Sequence, residues 1–246
     1  MADRYSLNSN LGSRTGGTQA RAGVDAGLRK YMIGVYNYMT SGVLLTGVVS
    51  LLTFMWVRDN IEAAQLIYGS GLKYVIMFAP LAFIMVMSFG MNKLSSGALQ
   101  GLFWAFAGVM GVSLSSIFMV YTGTSIAKTF FITAATFGSL SLWGYTTKKD
   151  LSGFGTFLFM GLVGLIIASV VNLFLGSDTL GWVISLVGVG LFAGLTAYDT
   201  QRIREMYYMT EAGEARSKTI IMGALTLYLD FINLFLYLLR FLGNRE

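Results

Sequence analysis

Seven long apolar runs decide what this chain can fold into: Met32–Trp56, Tyr74–Met91, Ala98–Tyr121, Thr129–Thr146, Phe154–Leu175, Leu180–Ala197 and Thr219–Leu242. A helix needs roughly 20 apolar residues to cross a hydrocarbon core, and each run is close to that length. Strands of a membrane barrel would be about half as long and would alternate in polarity. These runs do not alternate, and an isolated strand in a bilayer would leave its backbone polar groups without partners. The sequence therefore predicts an all-α integral membrane protein, a bundle of seven transmembrane helices over residues 28–246. Composition agrees: 12% of the residues are charged, against about 25% in soluble domains. Thirty glycines suit helices that pack through small residues.

Residues 1–27 are polar, rich in Gly, Ser, Thr and Arg, and read as a disordered tail. They have no apolar core of the kind a signal peptide carries near its start. The linkers between runs are short, so helices adjacent in sequence are expected to be antiparallel neighbours. The longest linkers are 57–73 and 198–218. The second, with Gln201, Arg202, Arg204, Glu205, Glu211, Glu214, Arg216 and Lys218, is expected to carry the sixth and seventh helices beyond the membrane and to turn near residues 210–214. With the N-terminus inside, the inner segments hold twelve basic residues: Arg4, Arg14, Arg21, Arg29, Lys30, Lys93, Lys148, Lys149, Arg202, Arg204, Arg216 and Lys218. The outer segments hold five: Arg58, Lys73, Lys128, Arg240 and Arg245. That excess puts the N-terminus in the cytoplasm; seven full crossings would put the C-terminus outside, and a re-entrant last run, or two runs forming one hairpin, would bring it inside. Pro80 lies within the second run, where its missing N–H predicts a kink and a hinge.

Several function classes fall away. Cysteine and histidine are both absent, so disulfides, thiolate metal centres, Ser-His catalysis and histidine proton relays are excluded. The basic residues are spread over tails and loops rather than gathered in one stripe, which argues against nucleic acid. No GxSxG, HExxH or phosphate-binding loop is present, and no lysine lies within 219–246 to form a retinal Schiff base. The GxGD pattern of intramembrane aspartyl proteases is also missing. The expectation is a protein that is not an enzyme and needs no cofactor.

Asp230 is the strongest chemical signal. It stands about 11 residues into the seventh run, in TLYLDFINLFLYLL, near the bilayer midplane. An ionised carboxylate there costs at least ~2.5–3.5 kcal/mol, and such residues commonly mark ion or proton pathways. At helical spacing Gly223, Thr226, Asp230, Asn233 and Tyr237 share one stripe, so Thr226, Asn233 and Tyr237 are candidates for lining a pore or cavity. A structural carboxylate bonded to backbone or hydroxyl groups is the alternative. Asp199, in LTAYDTQRIREM, comes second: it either pairs with a neighbour such as Arg202 or meets Asp230. Counted back from the turn, the two aspartates differ in depth by about six residues, roughly 9 Å. If tilt closes that gap, the pair shares a proton, titrates as a unit and acts as a proton-controlled latch between helices. Fully ionised, Asp199 and Asp230 would also offer hard oxygens to a transient Ca²⁺. Asn172, one turn from Ser169, either lines the same cavity or bonds to a neighbouring helix.

Three stretches, GVSLSSIFMVYTGTSIAKTFFITAATFGSLSLWGYTTKKDLS, TAYDTQRI and LTLYLDFINLFLYLLR, together resemble the Bax inhibitor-1 family. The likeness covers about residues 28–243 and is strongest to bacterial inner-membrane members. It implies a central last helix surrounded by six others, and a proton-sensitive Ca²⁺ leak whose paired aspartates map onto Asp199 and Asp230. In the leading reading Asp199 and Asp230 form the gate and the second helix, with its Pro80, is the moving element. Some members carry an arginine on that helix; here it has only Lys73 and Lys93 at its ends. The implied partners are the lipid bilayer, calcium ions and protons, together with a membrane-bound AAA protease. An interaction protein that regulates such a protease without transport is the competing reading, with the tail over 1–27 as its handle.

Overall fold

A computed structural model describes residues 6–244, with side chains from Ala26 onward. Apart from Ala26 and Gly27, the tail expected over 1–27 lies outside the residues whose side chains are described. The chain forms α1 (Ser6–Asp59), a single turn α2 (Ile61–Ala64) running into a π turn (Gln65–Gly69), α3 (Leu72–Gly90) and α4 (Ser96–Leu114). A 3₁₀ turn (Ser115–Met119), α5 (Gly123–Thr146), α6 (Ser152–Leu175), α7 (Asp178–Met209) and α8 (Glu214–Leu242) follow. Seven of these helical segments are long and apolar enough to span a membrane, Ala26–Asp59 of α1 being the first. The protein is an all-α membrane bundle.

Local chemistry sets the helix ends. Ser95, Thr122 and Ser177 precede α4, α5 and α7, and each side chain accepts a hydrogen bond from a first-turn amide, at 3.2, 3.2 and 3.3 Å. Gly176 closes α6 in the left-handed region, φ 61°, where a side chain would be strained. The third span tightens into its 3₁₀ turn where three serines cluster, and Ser115 Oγ donates to Val112 O at 2.6 Å. Pro80 sits inside α3, which stays one unbroken helix.

The bundle has a centre and two outriders. α8 packs against α1, α4, α5 and α7, whereas α3 packs on α4 and the π turn, and α6 packs on α7. The central last helix is as expected, but four helices flank it directly and two form an outer layer. The reason lies in side-chain size. Helices come close to α8 and α7 where glycine leaves room: a Cβ at Gly188 of α7 would fall 2.6 Å from the Tyr237 ring, and one at Gly144 of α5 would run into the Ala197 carbonyl. α1 and α8 run parallel, with Gly34 against Ile220 and Gly42 beside Tyr228.

Candidate functional site

The α7–α8 hairpin carries both aspartates. Its turn occupies residues 210–213, as the sequence predicts, and Arg216 closes it by donating to Thr210 O at 2.8 Å while its guanidinium stacks over the Tyr207 ring at 4.3 Å. The pairing register follows from two contacts further along, Ile203 with Gly223 and Gly188 with Tyr237. Counted from these, Asp199 stands opposite residues 226–227, so it differs from Asp230 by about one helical turn, ~5 Å. The separation of six residues read from the sequence is too large. That count took the turn as symmetric, but α7 reaches Met209 while α8 starts afresh at Glu214.

At this offset the side chains meet. The carboxyl groups of Asp199 and Asp230 lie within hydrogen-bonding reach of one another. Both are buried, at 8% and 4% exposure. Two carboxylates can only accept, so a hydrogen bond between them requires one proton on the pair. Asp230 Oδ2 is buried with no hydrogen-bond partner among the described residues. Arg202, the alternative partner for Asp199, is exposed and within electrostatic range, but it forms no ion pair with Asp199 among the described residues.

The helix around Asp199 is clamped in place. Thr200 hydrogen-bonds Ser141 of α5 at 2.9 Å and donates to Thr196 O at 2.7 Å, and Ser141 in turn meets Tyr36 OH of α1 at 2.6 Å. Gln201 accepts from Leu151 N and donates to Lys149 O, both at 2.8 Å. Arg204 donates to Tyr145 O at 2.6 Å, satisfying an orphan carbonyl at the end of α5. On α8, Tyr228 OH meets Thr46 of α1 at 2.7 Å, and Thr46 also donates to Ala107 O of α4. Tyr36, Thr46, Ser141, Thr200 and Tyr228 escape the sequence reading, which takes Gln201 and Arg204 only as part of the linker that extends the helices. A signal existed for one of them, since Thr196, Asp199 and Thr200 share a face at i, i+3, i+4.

The other expected residues are placed differently. Thr226 and Asn233 each donate to a carbonyl one turn back on α8, at 3.1 and 2.8 Å. Tyr237 stacks on Phe192, with centroids 5.7 Å apart, and seats against Gly188. Asn172 accepts from Ser177 N at 3.2 Å and so braces the α6–α7 turn. A cavity of about 600 Å³ lies between α1 and α5, and its lining includes none of these four residues. Among the described residues no cluster of three or more metal-ligating side chains occurs. The aspartate pair alone supplies fewer oxygens than the 6–8 that Ca²⁺ takes.

Comparison with known proteins matches residues 28–246 to a family model described as inhibitor of apoptosis-promoting Bax1. An uncharacterised protein of Rickettsia prowazekii is 51% identical over 223 residues, covering 90% of this chain and 92% of that protein. Inner membrane protein YbhL of Escherichia coli is 48% identical over 225 residues, 90% of this chain and 94% of its own. A Caulobacter vibrioides protein is 46% identical over 237 residues, 93% and 94% of the two chains.

Proposed function

The chain belongs to the Bax inhibitor-1 family of membrane proteins, and we propose that it is a pH-sensitive calcium leak of an inner membrane, gated by Asp199 and Asp230. The observation that carries this reading is the contact between two buried carboxyl groups on adjacent helices, one of them with an oxygen left without a partner. A shared proton holds the two together. Its loss sets like charges side by side, a repulsion of about 4 kcal/mol at 4 Å with an effective dielectric near 20. The same loss leaves a doubly ionised oxygen site that attracts a divalent cation. Protons and calcium therefore compete for one place, and occupancy by either changes how α7 sits against α8. Calcium is the cargo here, not a resident cofactor. The N-terminus is cytoplasmic in this reading, on the basic-residue excess of the inner segments.

Calcium flux into sealed liposomes holding the purified protein, followed from pH 5 to 8, tests this directly. The parent gives flux that changes with pH. In Asp199→Asn or Asp230→Asn the amide donates permanently to the remaining carboxylate, so the pH dependence disappears. Flux no greater than that of empty liposomes at every pH would sink the leak. It would leave an interaction protein that regulates a membrane-bound protease as the better account.

A further inference from the structure

α1 and α5 both pack on α8, and between them lies the cavity of about 600 Å³. Its wall on α1 runs from Arg29 to Leu44 and its wall on α5 from Phe130 to Tyr145, with Phe231 of α8 contributing to the lining. Each wall spans 16 residues, ~22 Å along the helix axis. The Tyr36–Ser141 bond fixes the level of the two walls, so Arg29 and Tyr145 lie toward one end and Leu44 and Phe130 toward the other. Met32, Val43, Phe130, Phe137 and Phe231 make the interior apolar, and Ile33, Leu44 and Leu142 are exposed along its rim. Gly138 also lines it, and a Cβ built there meets nothing within 4 Å.

A long apolar groove with a cation at one end fits an amphiphile with a negative head. The volume is in the range of small-ligand pockets. Its charged end is the basic end of the bundle, where Arg29, Lys30, Lys148 and Lys149 are exposed beside Asp150, while Glu205 and Glu214 of the α7–α8 hairpin at this end pair with Arg204 and Lys218. Among the described residues none of the ion pairs engages Arg29. Basic residues at a membrane face attract anionic lipid heads, whereas a zwitterionic head gains little from them.

We propose that the α1–α5 groove is a lipid site: it holds one acyl chain of an anionic phospholipid, with the phosphate at Arg29. The chain lies against Phe231, the residue after Asp230, so the occupant touches the helix that carries the acid. The site stands whether or not the protein conducts calcium.

Native mass spectrometry of the whole chain in detergent tests this. The probes are a phosphatidylglycerol and the phosphatidylcholine with the same two chains, offered in equal amounts. The parent retains one phosphatidylglycerol in preference by roughly fivefold, the worth of about one basic residue at an anionic surface. Arg29→Gln, at an exposed position, brings the two lipids to equal retention. Gly138→Leu projects into the open groove and lowers retention of both, while its unchanged elution on size exclusion shows that it folds. Equal retention of the two lipids by the parent would overturn the proposal, as would full retention by Gly138→Leu.

Discussion

α8 and α3 each carry one residue that a membrane helix tolerates badly, Asp230 in the first and Pro80 in the second, yet the two helices live in opposite surroundings. Two thirds of the most apolar stretch of α8 is buried within the protein, against about a tenth of that of α3 (67% and 11%). The charge sits in the most enclosed helix, where Asp199 can share its proton and lipid cannot reach it. The proline sits in an outer helix that buries only Pro80 and Met87, seven residues apart and so on one face. Pro80 cannot donate to the carbonyl of Ile76, which softens α3 without touching the α7–α8 contact. The difference teaches that the buried acid and the helix-breaking proline are lodged in separate helices, so that a change in α3 need not disturb the α7–α8 contact.

Crowding the two regions tests that separation most severely. Gly144→Val, where α5 meets the Ala197 backbone beside Asp199, forces two helices apart and costs about 1–3 kcal/mol or more. It shows as a large fall in melting temperature in detergent. Gly164→Val in outer α6, where an added Cβ meets nothing within 4 Å, stays within about 0.5 kcal/mol of the parent. Equal falls would erase the contrast between centre and periphery. Pro80→Ala sharpens it at smaller scale. Restoring the missing hydrogen bond stiffens α3, so maximal calcium flux drops while the pH at half-maximal flux stays where the parent has it. A shifted midpoint would mean that α3 and the aspartates are not separate after all.

The smallest effect belongs to the α5–α6 turn. Asp150 is exposed and accepts from Ser152 N at 2.8 Å, a bond to the ionised form that holds its carboxyl below the usual range. A depressed value in the folded protein means a contribution present above roughly pH 4 and lost as pH falls through the folded value. Asp150→Ala therefore melts slightly below the parent at pH 7 and level with it near pH 2. A difference that persists in acid would assign the effect to something other than this carboxylate.

How much of this was legible beforehand follows from what hydropathy measures. It marks depth in a bilayer, so the seven spans and the odd carboxylate among leucines stood out. It does not mark where a helix ends. The sixth apolar run closes at Ala197, and it is the charged linker after it that announces the continuation of α7 to Met209, held beyond the apolar zone by Gln201 and Arg204. The fourth run began at Thr129 because Lys128 interrupts it, yet α5 begins at Gly123 under its Thr122 cap. The pairing of Asp199 with Asp230 was approachable because both lie on one hairpin, where counting from the turn carries information. The Tyr36–Ser141–Thr200 chain was not, since its members are 105 and 59 residues apart and no local spacing announces a hydroxyl's partner. The stripe from Gly223 to Tyr237 offered a cavity lining or a polar contact; Thr226 and Asn233 bond to carbonyls of their own helix, an option that helical periodicity does not distinguish from facing water.

Gln201 and Arg204 hold the α5–α6 turn through four main-chain partners: Lys149 O, Leu151 N, Tyr145 O and Thr147 O. Peptide groups are the same whatever side chain they bear. The grip on the turn is thus blind to the identity of the residues it holds, and the turn is free to drift in sequence so long as its path is kept. The two gripping side chains have no such latitude. Inheritance should therefore be lopsided, with a permissive turn on one side of the contact and a pair of fixed letters beside Asp199 on the other.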